Sequence, residues 1–244
     1  MLDNLKLERI SAGNLIWETA MPLRDDSAAQ RPRASRRLSS SDSQEFANLR
    51  RSWLRLQQLL AANFPTEGSA VVGTATFNDA HRPKTREQTQ ARFAYFRNSK
   101  LKAQRLALGL PPPVVIWAPE VLTSRKNRWH VHFVIDATGK DYDLLRHCWI
   151  YGGLELEPLH IDPVSPYEQL ARYMAKELRE AQEYKSRPGL HGWSCSRNAK
   201  RPELDRLIVP GDYQLQCPPG CTLLFDERRG DFGEIHSICY STAT

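Results

Sequence analysis

Residues 128–135 read RWHVHFVI, an alternation of side chains that predicts a β-strand with two different faces. Successive side chains of a strand point to opposite faces, so Trp129, Val131 and Phe133 share an apolar face. His130 and His132 then share the other face, where two neutral imidazoles can converge on one point. The alternative is a strand whose solvated face carries two histidines without a ligand, since a His-x-His pair is a short motif.

An acidic residue precedes the histidines at a distance that suits a β-hairpin. Glu120 ends the strand-like run VVIWAPE, residues 114–120, and residues 121–127 are long enough to connect two strands. If the strands pair, the carboxylate arrives beside the imidazoles. Such a mixed oxygen and nitrogen ligand set suits Mg²⁺, Mn²⁺ or a related divalent ion better than a closed structural zinc. The alternative is an acid of the hairpin loop.

A capped helix with a tyrosine and a lysine follows. Ser165 and Glu168 have the spacing of a capping box, and Pro166 suits the first helical position, so the helix is predicted to begin there. Tyr173 and Lys176 are i,i+3 neighbours on one flank of its apolar stripe, where side chains can border a cleft. A phenol beside an ammonium suits attack on a phosphate, and a tyrosine at the edge of a core face is the alternative.

In this order, the motifs resemble the HUH endonuclease superfamily, specifically the rolling-circle replication initiator (Rep) proteins of phages and plasmids. The matching segments are TATFN at residues 74–78, the strand with Glu120, HVH at residues 130–132 and YMAK at residues 173–176. WSCSRN, residues 193–198, is similar to the Ser-Arg segment that follows the tyrosine helix in these proteins. The resemblance extends over residues 70–202, although each motif is short.

The resemblance implies a role for each matching residue. Glu120, His130 and His132 match the ligands of a divalent metal, Mg²⁺ or Mn²⁺. Tyr173 matches the nucleophile that attacks a scissile phosphate, and Lys176 matches a lysine that supports it electrostatically. The expected products are a 5′-phosphotyrosine, whose retained bond energy allows religation, and a 3′-hydroxyl for a polymerase.

Further positions are expected to contact single-stranded DNA at a replication origin. Thr74, Thr76 and Asn78 lie on the polar side of the first strand of the domain, and Arg197 and Lys200 offer phosphate contacts. The chain has 34 lysines and arginines against 28 acids, a net charge of +6, which agrees with a nucleic-acid partner. A basic, serine-rich stretch, residues 24–41, is expected to lie on DNA phosphates or to be a solvated linker.

The predicted fold class is α+β. The order of elements suits a central antiparallel sheet with helices on one face and the metal site on the opposite face, similar to HUH, RRM and ferredoxin-like folds. The predicted boundaries are a mobile N-terminal arm over 1–43, an endonuclease domain over 44–203 and a C-terminal β extension over 204–244. A zinc site remains open as an alternative to ordinary thiols for the residues Cys217, Cys221, His236 and Cys239.

The wider functional expectations follow from features that the sequence does not contain. It has no P-loop motif, so the resemblance implies that a host helicase and a host DNA polymerase act with it. It has no apolar run of membrane-spanning length and no signal peptide, and its five cysteines are expected to be reduced in the cytoplasm of a bacterial host. The alternatives are an HUH transposase or relaxase and a non-catalytic single-stranded nucleic-acid-binding protein.

Overall fold

The chain forms two compact units, each built around one five-stranded antiparallel sheet. The computed structural model describes residues 4–23, 42–122, 128–176, 192–230 and 234–242. One unit comprises residues 1–38, 61–63 and 200–244, and the other comprises residues 39–60 and 64–199. The α+β class is therefore confirmed, but the expected single central sheet is wrong because the described residues form two sheets.

The described strands are β1 (Leu5–Ala12), β2 (Leu15–Pro22), β3 (Val71–Thr76), β4 (Val115–Leu122), β5 (Arg128–Ile135), β6 (Leu154–Pro158), β7 (Ser194–Cys195), β8 (Glu203–Val209), β9 (Thr222–Arg229) and β10 (Ile235–Ser241). The described α-helices are α1 (Asp42–Asn63), α2 (Arg86–Tyr95), α3 (Lys102–Ala107), α4 (Tyr142–Cys148) and α5 (Glu168–Lys176). A π-helical segment, Phe96–Leu101, joins α2 to α3. Thr85 caps α2, since its side chain accepts a hydrogen bond from the Gln88 backbone N–H.

The sheet of the larger unit has the strand order β6-β3-β5-β4-β7, and we call it the histidine sheet because β5 lies at its centre. Its apolar face packs against α2, the π-helical segment and the end of α4. The rings of Phe93 and Phe133 have centroids 5.5 Å apart, and those of Phe96 and Trp149 are 5.5 Å apart. All four of these side chains are buried in one continuous core. The alternation in RWHVHFVI therefore orients the strand by burying its aromatic side chains.

Helices lie on both faces of the histidine sheet, which corrects the expectation of helices on one face only. Tyr173 of α5 contacts His132 on the face opposite Phe133. The physical reason lies in β5 itself, where the side chains of both faces are buried from Trp129 to Ile135. One face of this strand is apolar, and the other carries the buried Val134 and the two histidines. Other elements must therefore pack against both faces.

The start of α5 also differs from the prediction. The helix begins at Glu168 rather than at Pro166, because Tyr167 adopts a left-handed backbone conformation with φ of 59°. The Tyr167 side chain is buried and its hydroxyl donates a hydrogen bond of 2.6 Å to the backbone oxygen of Phe64. This tertiary contact fixes the residue in a backbone conformation that a helix cannot contain.

The sheet of the smaller unit has the strand order β8-β1-β2-β10-β9, and we call it the terminal sheet because both ends of the chain contribute to it. Leu5 of β1 pairs with Val209 of β8, and His236 of β10 pairs with Ala20 of β2. Its core consists of the buried residues Leu7, Ala20, Leu215, Ile238 and Tyr240.

This pairing corrects the predicted domain boundaries. Residues 5–22, which were assigned to the N-terminal arm, form two strands, and residues 200–244 belong with them in one unit. The basic, serine-rich stretch at residues 24–41 lies outside the described residues. The pairing could not be predicted from the sequence because partner strands lie at opposite ends of the chain.

Candidate metal centre

Three potential metal ligands converge on the face of the histidine sheet that α5 covers. Glu120 on β4 pairs directly with His130 on β5, and His132 is two residues further along the same strand. His130 Nε2 lies 2.5 Å from Oε2 of Glu120, and His132 Nε2 contacts the same oxygen. All three side chains are buried, and their ligand atoms lie within 4.8 Å of one another. The hairpin therefore assembles the predicted cluster.

The electrostatics of the cluster favour an ionised carboxylate. Burial raises the pKa of Glu120, but hydrogen bonds and charge interactions with His130 and His132 outweigh burial and lower the pKa from 4.5 to about 2. The carboxylate is consequently charged across the neutral pH range. A buried negative charge beside two imidazoles provides the oxygen and nitrogen ligands that a divalent ion needs.

Thr74 on β3 supports one of the imidazoles from the other side. It pairs with His132 in the sheet, and its Oγ1 lies 3.1 Å from His132 Nδ1. In the contact with the ionised Glu120, His132 Nε2–H donates to the carboxylate oxygen. A bound cation would instead take the Nε2 lone pair, and an Nδ1–H that donates to Thr74 Oγ1 would favour that tautomer. Thr74 was predicted to contact DNA, which stays a prediction, and its hydroxyl contacts the His132 imidazole.

The other predicted DNA contacts are placed differently. Thr76 donates a hydrogen bond of 3.1 Å to the backbone oxygen of Gly153. The Asn78 side chain accepts a hydrogen bond of 3.0 Å from the backbone N–H of His81, and Asn78 thereby caps a short 3-10 helix. Arg197 and Lys200 are exposed, one in each unit. DNA contact by these residues stays a prediction.

The predicted nucleophile borders the cluster. Tyr173 Oη lies 3.1 Å from His132 Nε2, and the centroids of the two rings are 4.7 Å apart. The residue is 48% exposed, so a substrate can reach it. Burial raises the pKa of Tyr173, and the negative charges of Glu120 and Glu155 raise it further. Without a cation nearby, the surroundings therefore oppose formation of the phenolate.

Two other residues of the predicted site have different outcomes. Lys176 is the last residue of α5, and its side chain lies outside the described part of the structure. Tyr167, the remote second candidate for the nucleophile, is buried, and burial raises its pKa. Its hydroxyl already donates a hydrogen bond to the backbone oxygen of Phe64. Among the described residues, Tyr173 is the tyrosine that contacts the cluster. Its action as a single nucleophile stays a prediction.

Glu155 on β6 was missed by the sequence reasoning. It pairs with Thr74 across the sheet and is close enough to Tyr173 to influence its pKa. The alternation in LELEP, residues 154–158, indicates that Glu155 and Glu157 share one face. The sequence does not, however, contain the information that β6 pairs with β3, and this pairing brings Glu155 to the site.

The alternative zinc site receives no support from the described residues. Among them, Glu120, His130 and His132 form the only group that could hold a metal ion. Cys217 Sγ donates a weak hydrogen bond to the backbone oxygen of Cys221, and His236 Nε2 lies 2.8 Å from Asp226. These side chains are engaged in separate contacts.

No protein-family model, curated protein or solved structure matches this chain. No described helix has both the length and the apolar character needed to cross a membrane.

Proposed function

We propose that this protein is a metal-dependent endonuclease that nicks single-stranded DNA by attack of Tyr173, as the resemblance to HUH replication initiators implies. One observation carries the proposal. Tyr173 Oη lies 3.1 Å from His132 Nε2, although the two residues are 41 positions apart in the sequence and on different elements. A partly exposed phenol beside a buried cluster of two histidines and a glutamate combines a nucleophile with a place for a Lewis acid.

The cluster fits a divalent cation. Glu120, His130 and His132 would hold it through one carboxylate oxygen and two imidazole nitrogens, and such a mixed set suits Mg²⁺ or Mn²⁺. Bound there, the ion would polarise the scissile phosphate and stabilise the charge that develops on its oxygens. Thr74 would keep His132 in the tautomer that leaves Nε2 available.

The proposed reaction is a phosphoryl transfer to the protein. The Tyr173 hydroxyl loses its proton to solvent, to which the side chain is 48% exposed. Its oxygen forms a bond to the scissile phosphorus, while the bond from phosphorus to the 3′-oxygen breaks and that oxygen takes up a proton. The products are a 5′-phosphotyrosine and a free 3′-hydroxyl. Attack of a 3′-hydroxyl on the phosphotyrosine reverses these steps and religates the strand.

The charges around Tyr173 make this step dependent on the cation. The carboxylates of Glu120 and Glu155 both disfavour the phenolate. With its charge balanced by a bound cation, Glu120 would lose most of this effect on the pKa of Tyr173. The resemblance gives the Lys176 ammonium an electrostatic role beside the nucleophile. A positive charge near Tyr173 would also favour the phenolate, so we include this role in the proposal.

In the biological setting that we propose, the substrate is single-stranded DNA at the replication origin of a bacterial phage or plasmid. The 3′-hydroxyl would prime a host polymerase, and a host helicase would separate the strands. The net charge of +6 supports binding to a polyanion.

A covalent-adduct assay tests the proposed function. Full-length protein is incubated with Mn²⁺ and a pool of single-stranded oligonucleotides of random sequence, labelled in parallel reactions at the 3′ or the 5′ end. The 3′-label should migrate with the protein on a denaturing gel, and the 5′-label should leave on a shorter strand. The Tyr173→Phe variant should form no adduct.

Tyr142→Phe is the matched control, because the Tyr142 hydroxyl is buried and has no hydrogen-bond partner among the described residues. It should form the adduct as the wild type does. An adduct of equal yield with Tyr173→Phe contradicts the assigned nucleophile. Absence of any adduct with the wild type favours the non-catalytic binding protein.

A further inference from the structure

A group of aromatic side chains lies around the end of β3, and we call it the aromatic cluster. Its members are Phe77, His81, Tyr95, Trp149 and Tyr151. Tyr151 lies at the centre, with ring centroids 5.3 Å from Trp149, 5.4 Å from His81 and 6.5 Å from Tyr95. All three pairs are edge-to-face, an arrangement that aromatic rings prefer. The cluster is therefore a preformed surface.

Backbone contacts tie the aromatic cluster to the strand beside the metal centre. The Trp149 indole N–H donates a hydrogen bond of 3.1 Å to the backbone oxygen of Thr76, and the backbone N–H of Asn78 donates one of 2.9 Å to Tyr151. Thr76 itself pairs with His130 across the sheet. The cluster consequently begins at the end of the histidine sheet where the metal centre lies.

Gly152 permits this close approach. A Cβ at this position would lie 2.4 Å from the backbone oxygen of Thr76 and 2.7 Å from the backbone nitrogen of Asn78. Any other residue would push the loop that carries Tyr151 away from β3. The position of the cluster next to the metal centre is thus fixed by the backbone.

The cluster has an inner and an outer part. Phe77 and Trp149 are buried in the core of the unit. Tyr151 and His81 are half-buried, and Tyr95, at the end of α2, is 43% exposed. The outer rings are held in place by the inner ones, yet their exposed surface contributes little to the core. An exposed aromatic surface of this kind is suited to binding another π-system.

Two positively charged side chains lie near the outer rings of the aromatic cluster. The Arg92 guanidinium carbon lies 5.8 Å from the centroid of the Tyr151 ring, and the Lys100 Nζ lies 5.8 Å from that of Tyr95. The neighbouring acid Asp79 forms an ion pair with Arg128 at the start of β5. Partly exposed aromatic side chains with positive charges beside them are a combination by which proteins bind single-stranded nucleic acid, through base stacking and phosphate contacts.

We propose that the aromatic cluster is a stacking site for unpaired bases of the DNA strand that reaches the metal centre, with Tyr95 as the outermost platform and Lys100 as a phosphate contact. The proposal rests on the proposed function for the identity of the ligand. It assigns to the protein a binding surface for nucleotides that flank the reacting phosphate. Stacking tolerates any base, so the site adds affinity without selecting a sequence.

Equilibrium binding tests the proposal without relying on cleavage. The probe is a fluorescent thymidine oligomer of about 12 nucleotides. Its anisotropy is titrated with full-length protein at fixed salt and with a chelator present, so that no nicking occurs. Tyr95→Ala should raise the Kd by about 10-fold, because the substitution removes the ring on which one base stacks. Tyr95→Phe keeps the ring and should bind as the wild type does. Lys100→Ala should cause a smaller rise and weaken the salt dependence.

Matched controls come from the same chain. Phe225→Ala removes an aromatic side chain of similar exposure, 39%, from the terminal sheet, and Lys102→Ala removes a neighbouring exposed lysine. Both should leave the Kd unchanged. The proposal is overturned if Tyr95→Ala binds the oligomer as tightly as the wild type. It is also overturned if Tyr95→Ala weakens binding to duplex DNA as much as binding to the single strand, because bases inside a duplex are already stacked on one another.

The outcomes separate this proposal from the proposed function. If the wild type forms no adduct but Tyr95→Ala still weakens binding of the single strand, the stacking site stands and the nuclease assignment fails. If the wild type forms the adduct and Tyr95→Ala binds normally, the nuclease stands and the stacking site fails.

Discussion

A histidine faces a carboxylate across neighbouring antiparallel strands in both sheets, but the surroundings of the two pairs differ. In the histidine sheet, His130 Nε2 lies 2.5 Å from Glu120, and the Glu120 side chain is 9% exposed. In the terminal sheet, His236 Nε2 lies 2.8 Å from Asp226, whose side chain is 50% exposed. The pair at Glu120 is joined by a second histidine and a tyrosine.

The comparison shows that a contact between a histidine and a carboxylate does not by itself define a metal site. Asp226 can exchange its contact with His236 for water, so this pair contributes the small stabilisation of a surface ion pair. Glu120 is buried with two imidazoles, and their donor atoms point at one carboxylate oxygen. Convergence and burial, rather than pairing, distinguish the candidate metal centre.

The largest expected effect comes from removing a histidine of the metal centre. His130→Ala leaves two of the three donors, so the affinity for Mn²⁺ should fall by at least about 100-fold and adduct formation should be lost. DNA binding should be largely retained, because it draws on many phosphate contacts. Isothermal calorimetry with Mn²⁺ and the adduct assay measure these effects. Cleavage by His130→Ala in Mn²⁺ at the rate of the wild type would falsify the metal assignment.

Glu120→Gln should lower stability in a pH-dependent way. The pKa of Glu120 is about 2 in the folded protein and 4.5 without these contacts. The folded pKa is depressed, so the ionised form stabilises the fold above pH 4.5, and this stabilisation disappears as the pH falls toward 2. The shift corresponds to a difference of about 3 kcal/mol at neutral pH.

Chemical denaturation of the metal-free wild type and of Glu120→Gln, at a series of pH values, measures this contribution. The difference in the free energy of unfolding should be largest above pH 4.5 and should narrow in acid. Asp226→Asn is the matched control in the terminal sheet, where a change within about 0.5 kcal/mol is expected. A difference between the wild type and Glu120→Gln that stays constant with pH would show that the charge is not responsible.

An intermediate effect is expected at Thr74. Thr74→Val keeps the shape of the side chain but removes the oxygen that lies 3.1 Å from His132 Nδ1. The affinity for Mn²⁺ should fall by about 10-fold, as it does when other supporting partners of metal-bound histidines are removed. Thr74→Ser retains the hydroxyl and should restore the affinity. If the serine variant binds Mn²⁺ as weakly as the valine variant, the hydroxyl does not orient the histidine.

The two sheets also differ in how far the sequence predicts them. The strand around His130 is a local pattern, and it occurs in the structure. The approach of Glu120 could be predicted because a short connection in the sequence allows few pairings. Each of these features depends on residues that are close together along the chain.

The features that the sequence did not predict depend on distant residues. The pairing of Leu5 with Val209 joins strands from the two ends of the chain, and no local pattern specifies a partner. Glu155 reaches the site only because β6 pairs with β3. The conformation of Tyr167 depends on a hydrogen bond to Phe64, which overrides the local preference for an earlier helix start.

The smallest effect is expected at His236, and it tests the other side of the comparison. His236→Gln removes the partner of Asp226, but that carboxylate is half exposed and water can replace the contact. The free energy of unfolding should fall by no more than about 1 kcal/mol. The stoichiometry and affinity of Mn²⁺ binding should be unchanged, because the described residues of the terminal sheet include no group of three possible metal ligands. Loss of one bound Mn²⁺ would mean that one histidine and one carboxylate suffice for a metal site. Burial with a second histidine would then not explain why the histidine sheet binds the metal and the terminal sheet does not.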